Sequence, residues 1–418
     1  MKSVIKLLGF TLLLCLFGCQ NNANGPGDDA LDSDSPKTVI LSIDGGGIKG
    51  IIPAYGITVL EEQLGMQSYE IFDIIGGTST GGILSIALTA PQNGKTKPRT
   101  AQEVLDIYLT DCDSIFVPTG YDDVGGPKFY ANQNAQNIDR CSSGGVEIYL
   151  QKMLGTSTLS EAANMFDTAK IKQVFTTSYV INSSGATVSD PVEGKDFGPY
   201  LFNWMNALQS DSDDYFLWEA ARSTSAAPTY FSVAHVGGGN NPRSGAAEKW
   251  AVDGGIMSND PSMWAVAEAF KMGLVESLDD LVIVSLGCGL DPYNAGIGVT
   301  NELSNSGSCG QESGFWSAMD WGTEALYNLN GDEGGAGAAL LMSLYANQFT
   351  PDNQLAILAQ NTGMQYIRIQ PQLPSALTDM ADCTNTTALD SFAQYYYSSR
   401  DGKAAVEHAV AAIRSATE

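Results

Sequence analysis

Short apolar segments alternate with amphipathic segments along most of the 418-residue chain. The apolar segments predict strands at Val39–Ile43, Ile71–Ile75, Val174–Ile181, Trp250–Val252, Leu281–Leu286 and Gln365–Ile369. Segments with helical spacing lie between them: one follows the first strand and ends near Leu64, and others cover Gly81–Ala90 and Ala404–Ile413. Because strands that alternate with helices form parallel sheets with both faces covered, the pattern predicts an α/β fold whose mostly parallel central sheet is sandwiched by helices.

Polar residues mark the start of two further helices. Thr100-Ala101-Gln102-Glu103 is a capping box and predicts a helix that extends through Phe116. Asp260 followed by Pro261 predicts the N-cap and the first residue of a helix that ends at Met272. Loops or insertions are expected at 118–147, 182–200, 236–248 and 291–313.

The first residues have the pattern of a secretion signal. Lys2 and Lys6 give the chain a positive start. The apolar run that follows, from Leu7 to Phe17, is too short to span a bilayer comfortably. The run closes with Leu16-Phe17-Gly18-Cys19, which resembles the lipobox of bacterial lipoproteins. That resemblance implies cleavage of a signal peptide, residues 1–18, and a lipid on the sulfur of Cys19. It places the protein in a bacterial cell envelope, anchored to the outer membrane on its periplasmic or surface face. An ordinary signal peptide or an uncleaved anchor is the alternative.

Residues 19–37 are rich in Asn, Gly, Asp and Ser and predict a flexible acidic tether, which leaves residues 38–418 as the folded domain. The chain has 21 Lys and Arg residues against 47 Asp and Glu, a net charge of −26. Because no basic run interrupts this acidity, nucleic acid is not an expected partner. The same charge repels anionic membranes, so contact with lipid must rest on apolar surface, on the anchor or on screening by salt.

Five cysteines remain besides Cys15 and Cys19, and an exported protein can form disulfides. By position alone, Cys112–Cys141 and Cys309–Cys383 are plausible pairs, while Cys288 follows an apolar strand and is expected to be buried and unpaired. The chain contains no CxxC motif and no cluster of Cys and His, so its sequence does not predict a structural zinc site.

The first motif suited to binding or catalysis is the glycine-rich turn Asp44-Gly45-Gly46-Gly47-Ile48-Lys49-Gly50, which follows the first predicted strand. A strand, a glycine turn and a helix aim several backbone N–H groups at one point, where they can hold an oxyanion or a phosphate. The spacing Gly45-x-Gly47-x-x-Gly50 also matches the dinucleotide-binding fingerprint, which is a weak signal when it stands alone.

The second motif is Gly77-Thr78-Ser79-Thr80-Gly81, which lies between a predicted strand and a predicted helix. This is the context that a nucleophile elbow requires: the strand delivers Ser79, and the flanking glycines allow a sharp turn. The third motif, Asp253-Gly254-Gly255, follows a short strand. A carboxylate at a strand end can point into a site, although Asp-Gly-Gly by itself is more typical of a turn.

Together these motifs resemble, in order, the signature blocks of patatin-like phospholipases. The blocks are Val39 to Ala54 (VILSIDGGGIKGIIPA), Phe72 to Gly82 (FDIIGGTSTGG) and Asp253-Gly254-Gly255. Further similarities occur at Trp218–Phe231, at Ser285-Leu-Gly-Cys-Gly (with Cys288 where Thr is more usual), at Asp320-Trp-Gly, at Tyr366-Ile-Arg-Ile-Gln and at Leu377-Thr-Asp-Met. The resemblance covers nearly all of residues 38–418 and is strongest to the plant patatins. It implies the patatin-like variant of the α/β-hydrolase fold.

The resemblance also implies a role for each motif. Ser79 would be the nucleophile of a Ser–Asp dyad, and Asp253 would be its general base. The N–H groups of Gly46 and Gly47, helped by Gly45 and Thr80, would form the oxyanion hole, supported by Gly50, Gly77, Gly81, Gly254 and Gly255. The implied substrate is a membrane lipid or another acyl ester, without metal or cofactor. Head group, acyl length, positional preference and oligomeric state stay open.

Other assignments of the polar residues have to be weighed. Arg222 is a candidate to support the site, although a surface position is the more ordinary one for an arginine near a helix end. A Ser–His–Asp triad would need His235, in a predicted insertion, or His408, on the polar side of the last helix. A nucleotide-binding protein would need an acidic residue at the end of the second strand, which instead leads into Ser79. An inert lipoprotein on a hydrolase scaffold is a third hypothesis.

Overall fold

The computed structural model describes residues 37–92, 97–120, 127–132, 144–166, 169–183, 197–238, 245–290 and 338–417. The predicted signal peptide, Cys19 and nearly all of the tether lie outside these ranges, as do Cys141, Cys309 and the Asp320-Trp-Gly block. Within the described ranges, no helix has the length and apolar character needed to cross a membrane.

The described strands form one eight-stranded sheet, in which β5, β6, β3, β2, β1, β7 and β8 are paired in that sequence. Strands β2 and β6 pair with successive parts of the same edge of β3, and β4 pairs with its other edge. The pairs of β1 with β2 and β7, of β2 with β3, and of β7 with β8 are parallel, so the prediction of a mostly parallel sheet is confirmed. The strands are β1 (Thr38–Ile43), β2 (Ile74–Thr78), β3 (Gln173–Ser183), β4 (Gly198–Asn203), β5 (Ala234–Val236), β6 (Lys249–Asp253), β7 (Leu281–Leu286) and β8 (Gln365–Ile369).

Helices cover both faces of the sheet. They are α1 (Ile51–Leu64), α2 (Ser68–Ile71), α3 (Thr80–Ala87), α4 (Ala101–Thr110), α5 (Cys112–Ile115), α6 (Val146–Leu154), α7 (Leu159–Met165), α8 (Trp204–Gln209), α9 (Leu217–Thr224), α10 (Gly255–Ser258), α11 (Ser262–Lys271), α12 (Ala338–Asn361), α13 (Thr386–Ser398) and α14 (Arg400–Thr417). Strand β1 shows why both faces need cover, because its residues alternate between two cores. Val39, Leu41 and Ile43 join the larger cluster, and Ile40 joins the smaller one.

Several predicted boundaries are wrong, and a local capping interaction explains the first of them. Ile71 ends helix α2 and does not begin a strand, because Gln67 and Glu70 form a capping box that the apolar pattern concealed. The helix predicted from Thr100 through Phe116 ends at Thr110 and resumes as α5 at Cys112. Strands β4 and β5 lie partly in segments predicted as loops, because short antiparallel strands have too few residues to show a period.

Three helices also differ from the predictions at their ends. Helix α11 starts at Ser262, with Pro261 in the N-cap position, because the carboxylate of Asp260 accepts a hydrogen bond from the N–H of Ser262 at 2.9 Å. Helix α3 begins at Thr80 and ends at Ala87, three residues before the predicted end. The closing helix is longer than predicted and spans Arg400–Thr417.

The disulfide prediction is wrong for both pairs that the structure tests. Cys112 is bonded to Cys383, which lies 271 residues away in sequence. Pairing by position failed because α13, which follows Cys383, packs against α1 and α4 and so brings the end of the chain to the start of α5. Cys288 is buried and free, as expected.

Candidate active site

The edge of β3 brings two of the motifs together. Strand β4 occupies one edge of β3, so β2 and β6 must share the other edge. Strand β2 ends at Thr78, opposite Thr177, and β6 arrives from the other direction and ends at Asp253, opposite Ser178. The two strands therefore meet end to end. Ser79, which follows β2, is brought beside Asp253.

Ser79 lies in a strained turn between β2 and α3. Its φ angle is 53°, a left-handed conformation that non-glycine residues seldom adopt. Its backbone N–H donates a hydrogen bond to the Thr224 hydroxyl at 2.9 Å, which ties the turn to α9. The flanking glycines are required by close contacts, because a Cβ on Gly77 would lie 2.0 Å from the Gly81 oxygen and one on Gly81 would lie 2.1 Å from the Ile43 oxygen. This is the geometry of a nucleophile elbow.

The carboxylate of Asp253 is buried against this turn. Its Oδ1 accepts a hydrogen bond from the N–H of Gly255 at 2.7 Å. Burial raises the pKa of Asp253 to about 6, while its interactions with the Ser79 hydroxyl, the Gly255 N–H and the Arg222 charge oppose that rise. At neutral pH the group is therefore mostly ionised, yet far more basic than an exposed aspartate.

Arg222 is not a surface arginine, since its side chain is only 1% exposed. Its Nη2 donates to the Ser232 carbonyl oxygen at 2.6 Å, and its Nε lies 3.8 Å from a carboxylate oxygen of Glu147. Burial lowers the pKa of Arg222 to about 10, which leaves it cationic at neutral pH. Its charge opposes the rise in the pKa of Asp253, so Arg222 supports the site through that carboxylate.

The glycine-rich turn after β1 presents two N–H groups that no described residue accepts. The N–H of Gly45 is occupied, because it donates to the Asn259 carbonyl oxygen at 3.1 Å. The N–H groups of Gly46 and Gly47 have no acceptor among the described residues, and both glycines line the same cavity as Ser79. Ile48, the next residue, donates its N–H to the Met380 carbonyl oxygen at 2.8 Å. The turn therefore has the free donors that an oxyanion hole needs at Gly46 and Gly47.

The remaining motif residues are packed around these groups. A Cβ on Gly50 would lie 2.3 Å from the Thr80 hydroxyl, and one on Gly254 would lie 2.0 Å from the Thr177 hydroxyl. Gly255 begins α10, and its N–H donates the hydrogen bond to the carboxylate of Asp253. Thr80 is buried at the start of α3 and lines the cavity.

Behind the glycine-rich turn lies a buried ion pair that sequence reasoning missed. Arg368 of β8 donates from Nη1 to Oδ1 of Asp44 at 2.8 Å, and its Nη2 contacts Oδ2. The same guanidinium donates to the Ser285 hydroxyl at 2.8 Å. Burial raises the pKa of Asp44, and the charge of Arg368 opposes that rise. Arg368 belongs to the Tyr366-Ile-Arg-Ile-Gln block, but nothing in its sequence neighbourhood points to Asp44.

Cys288 closes the other side of the glycine-rich turn. A Cβ placed on Gly46 would lie 2.5 Å from the Cβ of Cys288 and 2.9 Å from its sulfur. The thiol contacts the Asp44 carbonyl oxygen at 3.3 Å, and burial raises its pKa far above the usual value. Cys288 therefore packs against the turn, and its burial favours the protonated form of the thiol.

A cavity of about 490 Å³ opens from Ser79 and Asp253, within the size range of single-ligand sites. One part of its lining is apolar and comes from α3, α4, α5 and α6, through Ile83, Ile107, Ile115, Val146, Leu150 and Met153. Elsewhere the lining includes polar groups, among them Lys49, Lys128 and Asp379. The cavity therefore combines a site for a hydrocarbon chain with a more polar wall.

Neither histidine takes part in this arrangement. His235 lies in β5, where its Nε2 is 2.6 Å from a carboxylate oxygen of Glu248 and its ring stacks on Trp250. His408 is exposed on α14, and neither residue lines the cavity. Among the residues that the structure describes, no group of three or more His, Cys, Asp or Glu side chains is arranged to hold a metal ion.

Known proteins match this chain over much of its length. A family model described as patatin-like phospholipase matches residues 41–265. "Probable inactive patatin-3-Kuras 1" of Solanum tuberosum is 27% identical over 298 residues, which are 68% of each chain. Patatin-07 of the same plant is 26% identical over 374 residues, 85% of this chain and 81% of its own.

A solved structure, human GIVD cytosolic phospholipase A2, is matched with 11% identity and a TM-score of 0.33, over 64% of this chain and 45% of that one. The family model spans more than half of this chain, and it includes the glycine-rich turn, the Ser79 elbow and Asp253. The chain therefore belongs to the patatin-like phospholipase family.

Proposed function

We propose that this protein hydrolyses acyl esters of lipids, with Ser79 as the nucleophile and Asp253 as the general base. The observation that carries the proposal is the meeting of β2 and β6 along β3, which brings Ser79 beside the buried carboxylate of Asp253, whose pKa is raised to about 6. A base of that strength is ionised at neutral pH and can accept the proton of an attacking hydroxyl. Family membership supports a lipid substrate, although one relative is named as inactive, so activity rests on these residues.

In the proposed reaction, Asp253 takes the hydroxyl proton while the Oγ of Ser79 attacks the ester carbonyl carbon. Negative charge then develops on the carbonyl oxygen, where the N–H groups of Gly46 and Gly47 stabilise it. The intermediate collapses to an acyl-serine, and Asp253 returns the proton to the departing alcohol. Water then attacks the acyl-serine with Asp253 as base again, which releases the fatty acid and restores Ser79.

The cavity supports an orientation for the substrate. Its apolar part, between α3, α4, α5 and α6, is suited to the acyl chain, because each buried CH₂ group contributes about 0.8 kcal/mol to binding. The alcohol part of the ester would then lie toward the polar lining at Lys49 and Lys128. We further propose that the protein acts in the cell envelope as a lipoprotein held by Cys19, with its substrate in or near that membrane.

The test is covalent labelling with a fluorophosphonate together with hydrolysis of p-nitrophenyl esters and of a defined lipid panel. Labelling at Ser79, and loss of both labelling and hydrolysis in a folded Ser79→Ala variant, would support the proposal. An inert scaffold would give no labelling in the wild type. A nucleotide-binding protein would give neither reaction but would bind a nucleotide through residues 45–50.

A further inference from the structure

The segment between Leu377 and Cys383, here called the rim loop, contacts the glycine-rich turn directly. Thr378, Asp379 and Met380 of this loop line the cavity. Its carbonyl at Met380 accepts the hydrogen bond from the N–H of Ile48 at 2.8 Å. The rim loop therefore contributes a backbone acceptor to the turn that carries the two proposed oxyanion donors.

The contact leaves the turn little freedom. Gly47 has a φ angle of +60°, and a Cβ built on it would lie 2.1 Å from the Met380 carbonyl oxygen. The peptide that follows Gly47 is thus both hydrogen-bonded and closely covered by Met380. Because the N–H of Gly47 belongs to the adjacent peptide, a shift of the rim loop would change the direction in which that donor points.

Local hydrogen bonds give the rim loop its shape. The carboxylate of Asp379 accepts from the N–H of Ala381 at 2.8 Å, and that of Asp382 accepts from the N–H of Thr384 at 2.9 Å. These bonds hold neighbouring residues to each other, but they do not fix the rim loop to the rest of the domain.

The rim loop ends at Cys383, which a disulfide cross-links to Cys112. Cys112 begins α5, and α5 ends in Ile115, which together with Phe116 lines the cavity. The disulfide therefore joins two walls of the same cavity, three residues after Met380. Through Met380, the disulfide is connected to the glycine-rich turn. Thiol exchange can form or break this disulfide.

We propose that the Cys112–Cys383 disulfide is a positioning element of the active site, which holds Met380 against the glycine-rich turn and makes turnover depend on oxidation. This inference rests on the proposed hydrolase function. The bond forms when the two thiols exchange with a disulfide-bearing oxidant, losing two electrons and two protons while the oxidant becomes two thiols. The reduced enzyme would be slow where thiols stay reduced and fully active in an oxidising compartment.

The experiment compares the wild type, its form reduced with a phosphine, and a Cys112→Ser/Cys383→Ser double variant. In the reduced and double-variant proteins, kcat should fall about tenfold or more while KM changes little, because a misdirected oxyanion donor weakens the transition state rather than substrate binding. Reoxidation with oxidised glutathione should restore kcat in the wild type. Circular dichroism at the assay temperature establishes that each protein is folded.

Two controls separate positioning from general stability. The reductant should have no further effect on the double variant, so an equal loss there would assign the effect to other cysteines and overturn the proposal. Asp382→Ala loosens the rim loop with the disulfide intact, and a smaller fall in kcat is expected. An unchanged kcat in folded, reduced wild type would refute this inference and leave the proposed function standing. Absence of hydrolysis by oxidised wild type would refute the proposed function itself.

Discussion

The hydroxyl of Thr224 accepts a hydrogen bond from the backbone N–H of Ser79 at 2.9 Å and so attaches the strained serine to helix α9. The two residues are 145 positions apart in sequence. Because Ser79 holds a φ angle of 53°, its conformation has to be maintained by its surroundings.

Replacing Thr224 with Val should therefore lower both stability and turnover. The side-chain volume is nearly kept, but the N–H of Ser79 loses its acceptor, which costs about 1–3 kcal/mol for a buried group. We expect a decrease of that size in the free energy of unfolding from urea denaturation, together with a lower kcat. Thr224→Ser keeps the acceptor and is the matched control. Equal loss in both variants would show that packing, and not the hydrogen bond, matters at this position.

Arg368→Met should destabilise the domain more strongly. It leaves the carboxylate of Asp44 buried without its guanidinium partner, a change that typically costs about 3–5 kcal/mol. The exposed pair of Arg400 with Asp401 offers a control, since Arg400→Met should leave the unfolding midpoint unchanged. Thermal unfolding of both variants checks the prediction. A wild-type midpoint for Arg368→Met would mean that Asp44 is neutral in the folded protein.

The local motifs of the sequence predicted much of this site. Ser79 and Asp253 each follow a short apolar strand, and the strand–turn–helix context of Ser79 is visible within about a dozen residues. The groups that hold the motifs were not predictable in this way. Thr224, Arg368 and Met380 act through contacts with residues more than a hundred positions away, and no local period reports such contacts.

The fold shows the same division. Strands β1, β7 and β8 of the parallel part of the sheet were predicted to within one residue, whereas β2 was predicted three residues too early. The antiparallel pairing of β6 with β3, which brings Asp253 to Ser79, depends on a shared strand edge and leaves no trace in composition. The Cys112–Cys383 disulfide likewise depends on where α13 packs.

Leu150→Trp should change the preference for acyl length. Leu150 lies on the face of α6 that lines the apolar part of the cavity, and a larger ring there fills space that the acyl chain would use. Each CH₂ group excluded from the cavity costs about 0.8 kcal/mol, close to fourfold in kcat/KM. We expect the ratio of kcat/KM for long-chain to short-chain p-nitrophenyl esters to fall. Leu208→Trp, at an exposed position, is the control, and a similar fall there would refute the assignment.

Cys19→Ser should move the protein from the membrane fraction to the soluble fraction. The expected lipid on Cys19 supplies the apolar attachment, at about 0.8 kcal/mol per buried CH₂ group. Fractionation of cells that express each form, followed by detergent extraction, measures the change. A variant that still requires detergent would show that the folded domain binds the membrane by itself.

The acid limb of the pH profile, compared between two variants, should distinguish the dyad from a triad. The reaction needs Asp253 ionised, and burial raises its pKa to about 6, so kcat/KM should rise with pH through about 6 and fall toward tenfold per unit below it. Asp253→Asn keeps the size of the side chain but cannot accept a proton, so it should remove nearly all activity and the limb with it. The double variant His235→Ala/His408→Ala should keep most of the activity and the same limb, because neither ring lines the cavity. Initial rates from acid to mildly alkaline pH, with circular dichroism as the fold control, measure both effects. If the folded double-histidine variant were inactive while Asp253→Asn retained turnover, the base would be an imidazole and the dyad would have to be abandoned.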